Sequence, residues 1–246
     1  IRGATTSAYQ RQDFRDLTYA NDFQFGVTSV YSTYSPMQLW ESFTFSNSKD
    51  SAKFVAYGES IPANTEIQIE SSNGLTFPYL TASTIPKGDS VIVPDPIASR
   101  FFVYGNKALN NYGYGIYMTK DMLKFFKDPE YFVVCKDTAT KVDLISAFAV
   151  SADLNTLWAG TVKGRMIRVT GLANAYDSLT ANEFSTETVL SKVIFTEMPF
   201  TGRRVTSISI DPANSGKVLV TLGNYGNNDY VYFTSNGGDA APVFTS

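Results

Sequence analysis

The stretch Ile208-Ser-Ile-Asp-Pro-Ala-Asn-Ser-Gly-Lys-Val-Leu-Val-Thr-Leu-Gly223 decides the fold class. Apolar residues alternate ahead of the Asp-Pro-Ala-Asn-Ser-Gly turn, and a second apolar run returns and closes on glycine. Period-two alternation punctuated by Asp, Pro, Asn and Ser is the pattern of a strand, a turn and a returning strand. The same plan recurs upstream, from Phe43 to Gly58, from Val91 to Gly105 and from Phe148 to Gly160. With Phe45, Val93, Val150 and Ile210 as register marks, the copies follow one another at roughly 50–60 residues. A four-stranded blade needs roughly 40–50 residues, and insertions lengthen it.

A second half-repeat follows each hairpin. A short strand runs into a polar turn and then an aromatic at Ile67–Phe77, at Gly115–Phe125 and at Asp229–Asp239 with Phe244 beyond it; Arg165–Leu172 is a weaker copy. A fourth strand is expected at Pro78–Thr81, Glu130–Val134, Val189–Phe195 and Val243–Thr245. The sequence therefore predicts an all-β chain, a β-propeller of four-stranded antiparallel blades with four to five blades visible. The expected blades are 40–85, 86–140, 141–200 and 201–246, with 1–39 an irregular N-terminal segment or partial blade. Phe23–Tyr31 alternates and reads as a strand or two, and Gly171–Thr188 reads as a helical turn or long excursion. Common propellers have more than four blades, so these residues are expected to belong to a larger ring or assembly.

The turn Thr234-Ser-Asn-Gly-Gly-Asp239, following Tyr230-Val-Tyr-Phe233, resembles the Asp-box (BNR-like) turn of sialidase-like and sortilin-like propellers. So do Thr119–Phe125 and Ser72–Phe77. Asp121 holds the Asp position once, with Asn73 and Asn236 in its place elsewhere. Gly238 fits the Gly position, where Thr119–Phe125 has Leu123. The resemblance spans Trp40 to the C-terminus. It implies a fold-marking turn whose Asp or Asn bonds nearby backbone N–H groups while Gly takes positive φ, away from the ligand face. The Asn-, Tyr- and Ser-rich style also resembles exported propellers of Bacteroidetes-type bacteria, which implies an extracellular, cell-surface or periplasmic location.

Composition removes several classes of chemistry. There is no histidine, so neither a Ser-His-Asp nor a Cys-His nucleophile and no His-ligated metal is available. The lone Cys135 follows Tyr-Phe-Val-Val and reads as a small buried hydrophobe, with no partner for an internal disulfide. Net charge is −3 and the only basic doublet is Arg203-Arg204, which argues against a nucleic-acid partner. No run of apolar residues is long enough to span a membrane. Charged residues make up 17% and aromatics 14%, a balance suited to packed pleated sheets.

Propeller ligands usually bind on the loops joining second to third strands and blade to blade. Glu59–Glu66, Asn106–Tyr114 and Asn224–Asp229 are those loops by the repeat. Asn110, Asn111, Tyr112 and Tyr114 cluster in one, and Asn224, Tyr225, Asn227 and Asp229 in another. Tyrosine offers a stacking face and asparagine paired donor and acceptor, a set suited to a glycan or protein ligand. The plain alternative is that Asn and Gly simply make turns. A two-carboxylate glycosidase needs facing acids. Asp89, Asp95 and Asp143 are the candidates, with Asp95 inside an Asp-Pro turn. Calcium at Asn227–Asp229 or Asp50 lacks the dense acidic loop it requires. Trp158 sits at an apolar strand position and reads as core, and Trp40 as core or platform. The expectation is a non-catalytic exported binding module with no catalytic residue, metal or cofactor. The alternatives are a sialidase-like or other Asp-box glycoside hydrolase, and a structural subunit of a surface or secretion assembly.

Overall fold

The computed structural model describes residues 36–46, 48–107, 113–120, 122, 131–136, 143–173, 186–223 and 228–246. The chain forms two compact units. The larger holds Phe101–Thr119 and Pro129–Ser246 with the chain up to Trp40, and the smaller holds Glu41–Arg100 with Lys120–Asp128.

The architecture is all-β, and the larger unit is built of propeller-type blades. One four-stranded sheet pairs β1 (Met37–Ser42), β6 (Ala98–Lys107), β7 (Gly113–Thr119) and β8 (Phe132–Lys136) in that order. A second pairs β9 (Ile145–Val150), β10 (Thr156–Thr161), β11 (Arg165–Thr170) and β12 (Ile194–Pro199) as an unbroken antiparallel meander. A helix, α1 (Thr186–Ser191), precedes β12. The third sheet pairs β13 (Val205–Asp211), β14 (Asn214–Leu222) and β15 (Val231–Thr234). A single antiparallel bridge from Phe233 to Thr245 begins a fourth line.

The turns form for local reasons. Between β9 and β10 the Asp153 carboxylate accepts from Ser151 Oγ and from the Asn155 N–H, while Ser151 Oγ accepts from the Thr156 N–H. Between β13 and β14, Asp211 Oδ1 accepts from the Ala213 N–H and Asn214 Oδ1 from the Gly216 N–H, at 2.8 and 3.0 Å. Short polar side chains here take over donors that the ladder cannot reach.

Face-to-face burial then joins the second and third sheets. Ala147, Ala149, Trp158 and Met166 from one pack against Val205, Ile208, Val218, Val220 and Leu222 from the other. Gly160 lets the strands approach, since a Cβ there would lie within 2.7 Å of Val205 Cβ, Cγ1 and Cγ2. Ser146 Oγ donates to the Val205 carbonyl at 2.6 Å across the same contact. β10 is buried at all six positions, whereas β14 mostly alternates, with Lys217 and Leu219 turned to solvent and Val218 and Val220 inward. Two covered faces in one sheet and a single covered face in the next account for the difference.

The Asp-box-like turn is a tie between these sheets. Asn236 Oδ1 accepts from Thr234 Oγ1 and the Val243 N–H at 2.7 and 3.0 Å, and Asn236 Nδ2 donates to Asp239. The buried Arg168 donates to the Gly237 and Asp239 carbonyls and lies over the Trp158 ring, and Phe244 meets Trp158 edge-on. One expected detail differs. Positive φ occurs at neither Gly237 nor Gly238; Gly237 is needed because a Cβ would sit 2.9 Å from the Gly216 carbonyl oxygen. Of the other two such turns, Ser72–Phe77 has Gly74 at φ +78°, and Asp121 and Leu123–Phe125 lie outside the described residues.

Two of the four expected hairpins change partners. Phe43–Phe45 is not a strand; β2 (Ser51–Val55) pairs instead with β5 (Ser90–Pro94), and Phe101–Lys107 pairs with β7. The cause lies at Asp95. It is fully buried, and its carboxylate accepts from Ser71 Oγ, the Ser72 N–H and the Ile97 N–H at 2.8–3.0 Å. That clamp fastens the end of β5 to the turn between β3 (Glu66–Glu70) and β4 (Thr76–Leu80). In the smaller unit β3 pairs with β4. Its core is Ala52, Ile67, Ile69, Phe77, Ile85 and Val93. Lys53 and Ile92, paired opposite each other, are exposed, as are Glu66 and Glu70.

Candidate binding face

The loops joining second to third strands and sheet to sheet in the larger unit gather at one end of the second and third sheets. Four segments meet there: Asp143–Leu144 ahead of β9, Thr161–Arg165 between β10 and β11, Phe200–Arg204 between β12 and β13, and Asn228–Tyr230 ahead of β15. Backbone bonds fasten them, from Val162 N–H to the Leu144 carbonyl, Phe200 N–H to that of Gly164 and Gly223 N–H to that of Arg204, at 2.8–3.1 Å. Gly164 takes φ +74°, and a Cβ on it would fall within 2.7 Å of Arg203 N and O. Only glycine meets both demands.

Side chains then lock the segments. Asp143, whose side chain is almost fully buried, accepts from the Lys163 N–H at 2.8 Å and pairs with the Arg165 guanidinium, which also pairs with Glu197. Partial burial alone would lower the Arg165 pKa; the hydrogen bonds and charges of Asp143 and Glu197 outweigh it and raise it above the ordinary arginine value. Arg203 reaches the next loop. It donates to the Asn228 carbonyl at 3.3 Å and to that of Asp229, and its guanidinium carbon lies 5.8 Å from the Tyr230 ring centroid. Asp229 takes φ +62°, a left-handed backbone uncommon outside glycine.

Of the expected ligand residues, Asp229 lies on this face and is exposed. Tyr114 belongs to β7, where it pairs with Asn106. Asn110, Asn111, Tyr112, Asn224, Tyr225 and Asn227 lie outside the described residues. The expected loop Glu59–Glu66 belongs to the smaller unit, where Ile61 bridges to Ile85. The sequence missed Arg203, Arg165 and Tyr230. The Arg203-Arg204 doublet was their only signal, and it equally suits a solvated strand start.

Chemically the face supplies fixed hydrogen-bonding and stacking groups. Of the three carboxylates weighed for a glycosidase, Asp89 is exposed. Asp143 is committed to Arg165 and Lys163, and Asp95 is buried within its turn. Burial pushes the phenol pKa values of Tyr117 and Tyr131 well above the ordinary tyrosine value. Among the described residues no cluster of three or more Cys, Asp or Glu is arranged to hold a metal. No helix there is long and apolar enough to cross a membrane.

No family model matches the chain, and no curated protein matches it. Among solved structures, the Myceliophteria thermophila Cps50 (Swd1) β-propeller domain is similar at 9% identity with a TM-score of 0.31, over 75% of this chain and 68% of that one. A likeness at that level carries no argument, and the fold rests on the strand pairing above.

Proposed function

We propose that this chain is a non-catalytic binding module that presents the loop face around Lys163, Arg203 and Tyr230 to a protein or glycan partner. One observation carries the reading: side chains and backbone bonds fasten the loops that carry Lys163, Arg203 and Tyr230 to one another and to the buried Asp143 and Leu144 beneath, leaving Lys163 and Tyr230 exposed. Preorganised loops lose little entropy on binding, which is what a recognition surface needs. An acid–base pair, by contrast, needs carboxylates free to exchange protons, and Asp143 is held by Arg165. The proposal includes export from the cell and counts Thr234–Asp239 as a degenerate Asp-box, its role purely structural.

The test is a glycan and peptide array probed with the wild-type chain and with Lys163→Ala and Arg203→Ala. The expected result is at least one ligand whose signal drops with either substitution. Binding indifferent to every loop-face substitution, or hydrolysis of aryl glycosides that Asp143→Asn abolishes, overturns the proposal.

A further inference from the structure

The third sheet has one face on the second sheet and one face open. Register assigns the residues of the open face. Leu219 pairs with Ser209 on one side and Phe233 on the other, Thr221 pairs likewise with Ser207 and Val231, and the Phe233–Thr245 bridge brings Val243 onto the same side. Residues opposed in a ladder share a face, and their chain neighbours take the other. The neighbours Val218, Val220, Tyr232 and Phe244 accordingly pack inward against the second sheet. Leu219, Val231, Phe233 and Val243 keep 41–63% of their surface exposed. Lys217 is the charged residue of this face; it stands at the turn end and pairs with Asp211 of the same chain at 3.7 Å.

We propose that this face binds a second copy of the chain, third sheet to third sheet, about a two-fold axis. Charge selects the occupant. Any surface laid on Leu219 and Phe233 must itself be nearly free of charge, because a charge buried there without a partner is costly. The exposed residues on the paired strands of the smaller unit include Lys53, Glu66 and Glu70. The other two sheets of the larger unit have no such face to give. The strand β10 is buried at all six positions, and Ala98–Tyr104 of β6 and Gly115–Thr119 of β7 are buried throughout. Head-to-tail stacking through those sheets is thereby closed. Among the described residues, the uncharged apolar sheet face that matches this one is the same face on another copy, which makes the contact isologous.

Shape agrees with charge. A two-fold axis along β14 lays the small Ser207 and Ser209 of one copy over the large Val231 and Phe233 of the other. It also sets Leu219 against its own counterpart. Small residues facing large ones let two sheets interdigitate. Size sets the strength. Four strand lines about 4.8 Å apart, each about five residues long, cover about 300 Å². A standard complex buries about 800 Å² per partner. The dimer is therefore reversible and weaker than about 1 μM.

The experiment is sedimentation velocity on the chain from about 1 μM to about 1 mM, a span that brackets a dimer of this strength. The wild type is expected to pass from monomer to dimer across it. Leu219→Lys and Leu219→Glu should each weaken association at least about tenfold, because the two-fold sets like charges against each other. An equimolar mixture of the two should return to within about threefold of wild type, since opposite charges then meet. That rescue requires Leu219 to face Leu219, so an asymmetric contact or a contact elsewhere does not produce it. Phe233→Ala should weaken association about tenfold. Lys163→Ala and Arg203→Ala, on the loop face, should leave it unchanged, which keeps this test separate from that of the binding module. Unaltered tryptophan fluorescence melts confirm that each variant is folded. A wild-type chain that stays monomeric throughout, or association that survives both Leu219 charges, overturns the proposal. Association that is lost in both variants and not restored by mixing overturns the two-fold contact and points to a different occupant.

Discussion

Gly160→Ala is the sharpest test of how the second and third sheets meet. The new Cβ falls within 2.7 Å of three Val205 atoms, where carbon atoms prefer roughly 3.5–4.0 Å. About 1 Å must therefore be found between two strands. Neither strand yields easily: β9 is tied to β13 by Ser146 Oγ, and β10 is buried throughout. Overpacking of this kind costs about 1–3 kcal/mol. Loss of glycine's unfolded-state entropy returns about 0.5–1 kcal/mol. A net destabilisation of about 1–2 kcal/mol is expected. Trp40 and Trp158 are the chain's two tryptophans and both are buried within the larger unit, so urea unfolding followed by tryptophan fluorescence reads that unit alone. The partner substitution matters. Val205→Ala leaves the Cβ that is itself in conflict, so it should relieve the clash only in part, whereas Val205→Gly removes all three atoms. The double-mutant cycle with Val205→Gly should return a favourable coupling of about 1–2 kcal/mol. A Gly160→Ala chain as stable as wild type, or strict additivity with Val205→Gly, refutes close approach of the two sheets at this point.

Three further outcomes follow from the same geometry. Asp95→Ala strands the buried Ser71 hydroxyl and Ile97 N–H inside the smaller unit, so limited proteolysis between residues 70 and 97 should quicken by roughly tenfold or more, at about 1–3 kcal/mol per orphaned group. Asn236→Ala should destabilise the larger unit by about 1–2 kcal/mol in urea, and Asn236→Asp by less, because a carboxylate still accepts from Thr234 and Val243. The Cys135 thiol is fully buried, so a disulfide-exchange reagent should modify it only in denaturant, and rapid modification in native buffer would contradict the packing of β8.

The local units of the fold were legible because alternation and turn chemistry act over a few residues. Phe148–Gly160 and Ile208–Gly223 form the hairpins that their Asp, Asn, Pro and Ser residues dictate. Partner choice was not legible, because it is settled at long range. Val91-Ile-Val93 leads into an Asp-Pro turn just as Ile208-Ser-Ile210 does, yet the first pairs back to β2 and the second forward to β14. The difference rests on Asp95 and Asp211, two Asp-Pro turns of similar appearance. Asp211 bonds within its own hairpin, to the Ala213 N–H and to Lys217. Asp95 reaches Ser71 and Ser72, more than twenty residues away. An Asp-Pro pair therefore announces a turn, but whether the carboxylate serves that turn or a distant one depends on what the tertiary structure brings beside it.

The candidate face was half legible for the same reason. Asn and Tyr enrichment drew attention to the loop ending at Asp229, one residue short of Tyr230. What organises that loop is an arginine from the preceding inter-sheet connection, more than twenty residues earlier. A guanidinium that serves carbonyl oxygens leaves no trace in sequence, because every residue supplies a carbonyl and no complementary side chain need appear. A guanidinium that serves carboxylates, as Arg165 does with Asp143 and Glu197, at least requires acids somewhere in the chain. Even then their spacing of twenty-two and thirty-two residues carries no pattern until the strands are paired. Binding surfaces made of several loops on repeated sheets are therefore read from sequence as composition, and their geometry follows only from the register that sets those loops side by side.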